Sequence, residues 1–198
     1  MNYYHDLITA RSWQEMLDLV KHIHFVLIGG WAAYLYTKAL KSKDIDIIVD
    51  FDQLALLRQK YNVVKNERLQ KYEARRDEVQ IDVYLPHYSS LGVPIEEVMR
   101  QTKNIDGFNV PTPEYLILLK LHVHSKRMHS TKGHKDFLDL VSLLSTGNYD
   151  VNQLYGGIKK HHLQNAWLLF TTELNSTTRI PELALNPHAL AKLKRKLL

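Results

Sequence analysis

The sequence predicts an α/β fold of the α+β kind, a small mixed β-sheet flanked by helices in the N-terminal half, followed by a helical C-terminal region. Three observations predict it. DIDIIVD and VQIDVYL alternate with a period of two, as half-buried strands do, and helix-like stretches lie before and between them. From Pro113 onward every predicted element reads as a helix. At 198 residues with 45% apolar content, the chain is long enough to bury a sizeable core. The expected division is an α/β domain at 1–110 and a helical region at 111–198.

Ser12 and Glu15 have the spacing of a capping box, and Trp13, Met16, Leu17 and Val20 follow at helical spacing, which predicts a first helix over about 12–23. HFVLI is a short buried strand. Gly29-Gly30 turns the chain into a second helix over about 31–40, with Trp31, Ala32, Leu35 and Ala39 as its apolar stripe. In DIDIIVD, Asp44, Asp46, Ile48 and Asp50 share one face, while Ile45, Ile47 and Val49 form the core face. FDQLALLRQK at 51–60 is a helix. A hairpin of strands at about 62–75 and 79–85 follows, with Val79, Ile81, Val83 and Leu85 inward and Gln80, Asp82 and Tyr84 on the other face.

PIEEVMRQT reads as a helix and FNV at 108–110 as a short edge strand. Thr112 as N-cap and Pro113 at the first helical position open PEYLILLKLHVHSKR. After a loop from Ser130 to Gly133, KDFLDLVSLLS forms a helix that closes near Gly147. Asp150, and Asn186 before Pro187, cap the last helices.

The absence of cysteine excludes disulfides, thiolate catalysis and cysteine-ligated zinc. MNYYHDLITARSW lacks the apolar core of a signal peptide, and YLILLKL is too short to span a bilayer, so a soluble cytoplasmic protein with no membrane partner is expected. The net charge of +5 and pI near 9.2 admit a polyanionic partner. The excess clusters at Lys71, Arg75 and Arg76, between Lys120 and Lys135, and in KLKRK at 192–196; the last reads as a solvated face.

Carboxylates at i and i+2 of a strand point the same way, and Asp44 and Asp46 stand so. Asp82, on the corresponding face of a later strand, completes a hard oxygen-rich set suited to Mg²⁺. Three like charges buried together are costly unless a cation neutralises them. Gly29 and Gly30 expose backbone N–H groups at a helix N-terminus, which favours an anion such as phosphate. Each piece alone is common; the order strand, Gly-Gly, helix, Asp-x-Asp strand and later Asp is not.

In that order the residues resemble the nucleotidyltransferase fold of the polymerase β type. KSKDIDIIVD, with the later KDFLDL, is similar to the AbiEii type of that superfamily, the toxin component of some bacterial toxin-antitoxin systems, and to related small nucleotidyltransferase proteins. The resemblance implies that Gly29 and Gly30 hold nucleotide phosphates, that Asp44 and Asp46 ligate two Mg²⁺, and that Asp82 ligates the catalytic ion and helps activate the attacking hydroxyl. It further implies that Lys120 contacts the triphosphate and that Lys135 and Asp136 form the family's basic-acidic pair. Two departures stand out: Gly30 replaces the commoner serine of the turn, and the segment between Lys120 and Asp136 is longer than usual. From the residues alone, Lys120 is equally a lysine whose stem lies along an apolar helix with its ammonium in water.

The histidines in HVH at 122–124 and the His161-His162 pair lack a recognisable ligand spacing, and H-E-x-x-H, Walker A, G-x-S-x-G and G-x-G-x-x-G are all absent. Tyr34, Tyr36, Tyr84 and Tyr88 read as core or rim residues, with base stacking as the other use. The expectation is a Mg²⁺-dependent nucleotidyltransferase moving a nucleoside monophosphate from an NTP to a hydroxyl acceptor, with an RNA 3′ end as candidate and a cognate antitoxin as candidate partner. The alternatives are transfer to a small molecule or a protein side chain, and a non-catalytic nucleotide-binding or interaction module of the same fold.

Overall fold

The computed structural model describes residues 6–197. The chain forms two compact units, one ending at Thr112 and the other beginning at Pro113.

In the first unit the elements run α1 (Asp6–Leu19), β1 (Val26–Ile28), α2 (Gly29–Thr37), β2 (Ile45–Ile48), α3 (Phe51–Lys60), β3 (Asn62–Asn66), β4 (Lys71–Arg76), β5 (Val79–Tyr84), α4 (Ile95–Arg100), β6 (Thr102–Ile105) and β7 (Phe108–Pro111). Five strands form a mixed sheet in the order β1-β2-β5-β4-β3; β2 and β5 are parallel and the other neighbours antiparallel. Strand alternation works as the sequence implies. Ile45, Ile47, Ala74, Ile81 and Val83 are fully buried on one face, and the polar partners lie on the other. Burying each Leu, Ile or Val contributes about 1.5–3 kcal/mol, so this face is what holds the sheet.

The first helix departs from expectation. It begins at Asp6, so Ser12 and Glu15 lie inside it rather than at its start. Residues three apart share a helix face as readily as they make a capping box, and here both are buried. Ser12 Oγ accepts from Trp31 Nε1 at 2.8 Å, and Glu15 accepts from Tyr61 Oη and from Arg76 Nη2. The ring of Trp13 lies 5.2 Å from that of Trp31 and 6.3 Å from that of Tyr34, packing α1 against α2. The second helix starts two residues earlier than expected and stops at Thr37, where Lys38 adopts a left-handed conformation, so Ala39 is exposed and outside the stripe.

The stretch expected as one strand at 62–75 is two. Asn66 Oδ1 accepts from the Leu69 N–H and Gln70 takes φ +48°, which turns the chain between β3 and β4. The edge strand at 108–110 is half of a separate hairpin, β6 with β7, closed by Asp106 and Gly107 at φ +52° and +87°. Two such residues make a tight hairpin turn.

The second unit is helical: α5 (Pro113–Arg127), α6 (Thr131–Thr146), α7 (Val151–Lys160), α8 (Gln164–Ser176), a 3-10 turn at Pro181–Leu183 and α9 (Pro187–Leu197). Leu116, Leu121, Phe137, Leu140, Val141 and Phe170 form its core. Ser130 caps α6 by accepting from the Gly133 N–H, so the expected loop over 130–133 is instead the helix's first turn. Asp150 caps α7, and Asn186 accepts from the Ala189 N–H at the start of α9. Among the described residues no helix is long and apolar enough to cross a membrane.

Candidate active site

The carboxylate face belongs to the first unit. Strand β1 ends at Ile28, the register partner of Asp46. The chain then turns at Gly29 with φ +69° and enters α2, whose N-cap, Ile28, offers no side-chain hydrogen bond. First-turn N–H groups without a side-chain cap are receptive to an anion. A Cβ on Gly29 would stand 2.7 Å from Asp46 Cγ and 2.8 Å from Asp46 Cβ, so the carboxylate lies against the backbone of the turn. Gly30 is buried in the first turn of α2.

Asp46 and Asp82 are register partners on the adjacent parallel strands β2 and β5. Paired strands lie about 4.8 Å apart and their partnered side chains point the same way, so the two carboxylates share one row of one face. Tyr84 Oη donates to Asp46 Oδ1 at the long distance of 3.5 Å. Asp44 lies in the bend one residue before β2 and is half-buried.

Three side chains that sequence reasoning did not place in the site complete this row. Glu73 of β4 is the register partner of Asp82 on its other side. Lys71, two residues along β4, donates from Nζ to Asp82 Oδ2, and Gln80 Nε2 donates to Asp82 Oδ1 at 2.9 Å. Lys71 and Asp82 are 7% and 6% exposed, a buried ion pair. Glu73 accepts from Asn66 Nδ2 at 2.8 Å and Arg75 Nη2 at 2.9 Å; the Asn66 amide, with Lys71 and Arg75, holds its carboxyl below the usual range. The signal was present as K-x-E at strand spacing, but only the cross-strand register aims Lys71 at Asp82.

The donor chemistry of Asp44, Asp46 and Asp82 fits a hard divalent cation such as Mg²⁺, and the Asp46–Asp82 pair has the shared row that would bracket one. The fit is that of a pair with a third carboxylate nearby in sequence, not of a preformed cage. Among the described residues no three Asp, Glu or His side chains are grouped closely enough to hold a metal ion.

Lys120, Lys135 and Asp136 belong to the second unit, and the fold brings them together. Lys120 Nζ lies 3.1 Å from Asp136 Oδ1 and 2.6 Å from Asp139 Oδ2. Lys135 Nζ is 3.1 Å from the same Asp139 oxygen, and Arg127 Nε donates to Asp136 Oδ2 at 2.7 Å. Lys120 and Lys135 are 5% and 6% exposed, so Lys120 does not carry its ammonium to water; two carboxylates hold it inside. Burial alone would raise the Asp136 carboxyl, but Lys120 and Arg127 bring it below the ordinary value. Asp139, which pairs with both lysines, was not singled out in sequence, although it sits four residues after Lys135 on the same helix face.

Of the histidines, His124 is fully buried with Nε2 2.8 Å from Glu173 Oε2, and His134 Nε2 lies 3.3 Å from Glu182 Oε1.

No protein-family model and no curated protein matches the sequence. Solved structures do match. A putative nucleotidyltransferase from H. pylori superposes with a TM-score of 0.52 at 14% identity, covering 98% of this chain and 97% of that one. JHP933 from Helicobacter pylori superposes with a TM-score of 0.51 at 17% identity, covering 96% and 93%. At such identities the likeness is one of fold alone: the chain folds like these two proteins.

Proposed function

We propose that the chain is a nucleotidyltransferase whose carboxylate face in the first unit performs the chemistry. The observation that carries this reading is the pairing of Asp46 with Asp82 in register on parallel strands, with Gly29 packed against Asp46 at the mouth of an uncapped helix. In the proposed reaction an acceptor hydroxyl oxygen forms a bond to the α-phosphorus of an NTP. The bond between that phosphorus and the α,β-bridging oxygen breaks, pyrophosphate departs, and the hydroxyl proton is released.

Asp44, Asp46 and Asp82 are the side chains that would hold Mg²⁺. When bound, the ion supplies charge to the entering and leaving oxygens of such a displacement. The Gly29-Gly30 turn offers backbone N–H groups to the phosphates. Asp82, which accepts hydrogen bonds from Gln80 and Lys71, is proposed to take the acceptor's proton. Lys120, Lys135 and Asp136 form a buried charged cluster within the second unit, which Asp139 holds in shape.

The proposed acceptor is an RNA 3′ end, which the net charge of +5 supports. The likeness of KSKDIDIIVD and KDFLDL to AbiEii-type proteins supports a toxin role with a cognate antitoxin. Incubating the protein with each α-labelled NTP and total RNA tests the reading. Label in RNA is the expected result, label on a small molecule or on protein would replace the acceptor, and no labelled product with all four nucleotides would overturn the function.

A further inference from the structure

We infer that the outer face of α7, with the aromatic pair it forms with α8 and the basic end of α9, binds single-stranded RNA. The inference deepens the proposed transfer to an RNA 3′ end and rests on that reading for its choice of nucleic acid.

Charge is unevenly divided along the chain. Residues 1–112 carry fourteen Lys and Arg against fifteen Asp and Glu, whereas residues 113–198 carry twelve against six. The net positive charge therefore lies in the second unit. Each of that unit's six carboxylates is also engaged: Glu114 by the Asp150 N–H, Asp136 and Asp139 by the buried lysines, Asp150 as the cap of α7, Glu173 by His124 and Glu182 by His134. From Val151 to Thr172 the sequence holds no acid at all. A polyanion is the partner that such a surface attracts.

Aromatic side chains select a single strand from among polyanions. Tyr155 of α7 is 41% exposed, and its ring stands 5.5 Å from that of Trp167 on α8 at 76°, so its position is braced while much of it faces solvent. Lys159 follows one turn later on the same side of α7, about 5–6 Å away, which suits a base on the ring and a phosphate on the ammonium. Gly156 beside them meets nothing within 4 Å of an added Cβ, so the helix surface there is bare backbone. Packing does not require that glycine, whereas a Cβ on Gly157 would stand 2.7 Å from Leu118 Cδ1. At the other end of α7, Lys196 of α9 lies 4.6 Å from the ring centroid of Tyr149. Burial, and then the nearby Tyr149, raise the Tyr155 phenol above its ordinary value, which ties the two tyrosines into one strip. Tyr155 thus stands between a cation at each end of a helix about 15 Å long. A duplex keeps its bases stacked inside and has none to offer this ring.

The full chain is titrated with a fluorescently labelled, unstructured RNA oligonucleotide, and with the same strand in a duplex, over a range of salt, and anisotropy measures binding. The wild type is expected to prefer the single strand. Tyr155→Ala should weaken that binding by roughly tenfold, as loss of one stacked base does. Lys159→Gln and Lys196→Gln should each reduce the slope of log K against log salt by about 0.7, the share of one phosphate on a single strand. Gly156→Leu, which favours the helix, should raise the melting temperature and still weaken binding, a combination that a purely structural role does not produce. Equal affinity for strand and duplex, or strand binding unchanged in Tyr155→Ala and Lys159→Gln, would overturn the inference and leave label transfer standing. No binding of the strand, with self-association that Tyr155→Ala abolishes, would assign the face to a second copy and overturn it too. A wild type that binds the strand at this face but transfers label to no acceptor would overturn the transferase reading instead.

Discussion

Gly29, the first residue of α2, lies so close to Asp46 of β2 that a methyl group on the first would sit 2.7 Å from the carboxyl carbon of the second. The contact explains why the turn is glycine: the position demands both φ +69° and a backbone without a side chain. Gly107 separates the two demands, since it has φ +87° but nothing within 4 Å of an added Cβ. Gly107→Ala is expected to cost about 1–2 kcal/mol from backbone strain alone. Gly29→Ala should cost more and should also displace Asp46. Urea melts of the two variants, with nucleotide binding by calorimetry, check the difference; equal losses with binding intact would show that Asp46 is not held by the turn.

The buried network around Asp139 sets a second expectation. Asp139→Ala leaves Lys120 and Lys135 without the carboxylate they share, and removing one partner of a buried ion pair costs about 3–5 kcal/mol. Lys120→Met combined with Asp139→Leu, which removes charge from both sides, is expected to recover part of that loss. Denaturant midpoints of the single and double variants measure it. A double variant no better than the worse single would mean that packing, not charge, governs the site.

Acid stability follows from Asp136. Its folded value lies below the unfolded one, because Lys120 and Arg127 outweigh the effect of burial. The sign is fixed by linkage: the contribution is fully present above the unfolded value, about 3.9, and is lost as pH falls below that toward the folded value. Asp136→Asn should therefore be less stable than wild type at pH 7, with the gap narrowing below about pH 4. Thermal melts from pH 7 to pH 3 read this directly.

Much of the carboxylate face was legible because strand alternation is a local property. DIDIIVD and VQIDVYL place Asp46 and Asp82 outward and Ile47 and Val83 inward without any knowledge of the partner strand. What was not legible depends on register. Lys71 appears in the sequence as one of several basic residues, and only the alignment of β4 with β5 brings it onto Asp82. Ser12 and Glu15 misled for a related reason, since one spacing serves both a helix cap and a buried helix face. The β6–β7 turn had a readable signal, the Asp106-Gly107 pair, and only the strand after it was taken from the sequence. In the helical unit, Lys120 lies on an apolar helix whose partner carboxylates come from the next helix, so its burial could not be read from its own neighbours.

The central claim is that Asp46 and Asp82 act together. The direct measurement is the initial rate of label transfer from an α-labelled NTP to its acceptor for Asp46→Asn and Asp82→Asn beside the wild type, each first shown folded by its melting curve. The account predicts that each substitution lowers the rate by roughly 10²-fold or more, as removal of a group that stabilises or deprotonates the reacting oxygens does. Transfer at the wild-type rate by either folded variant would contradict it.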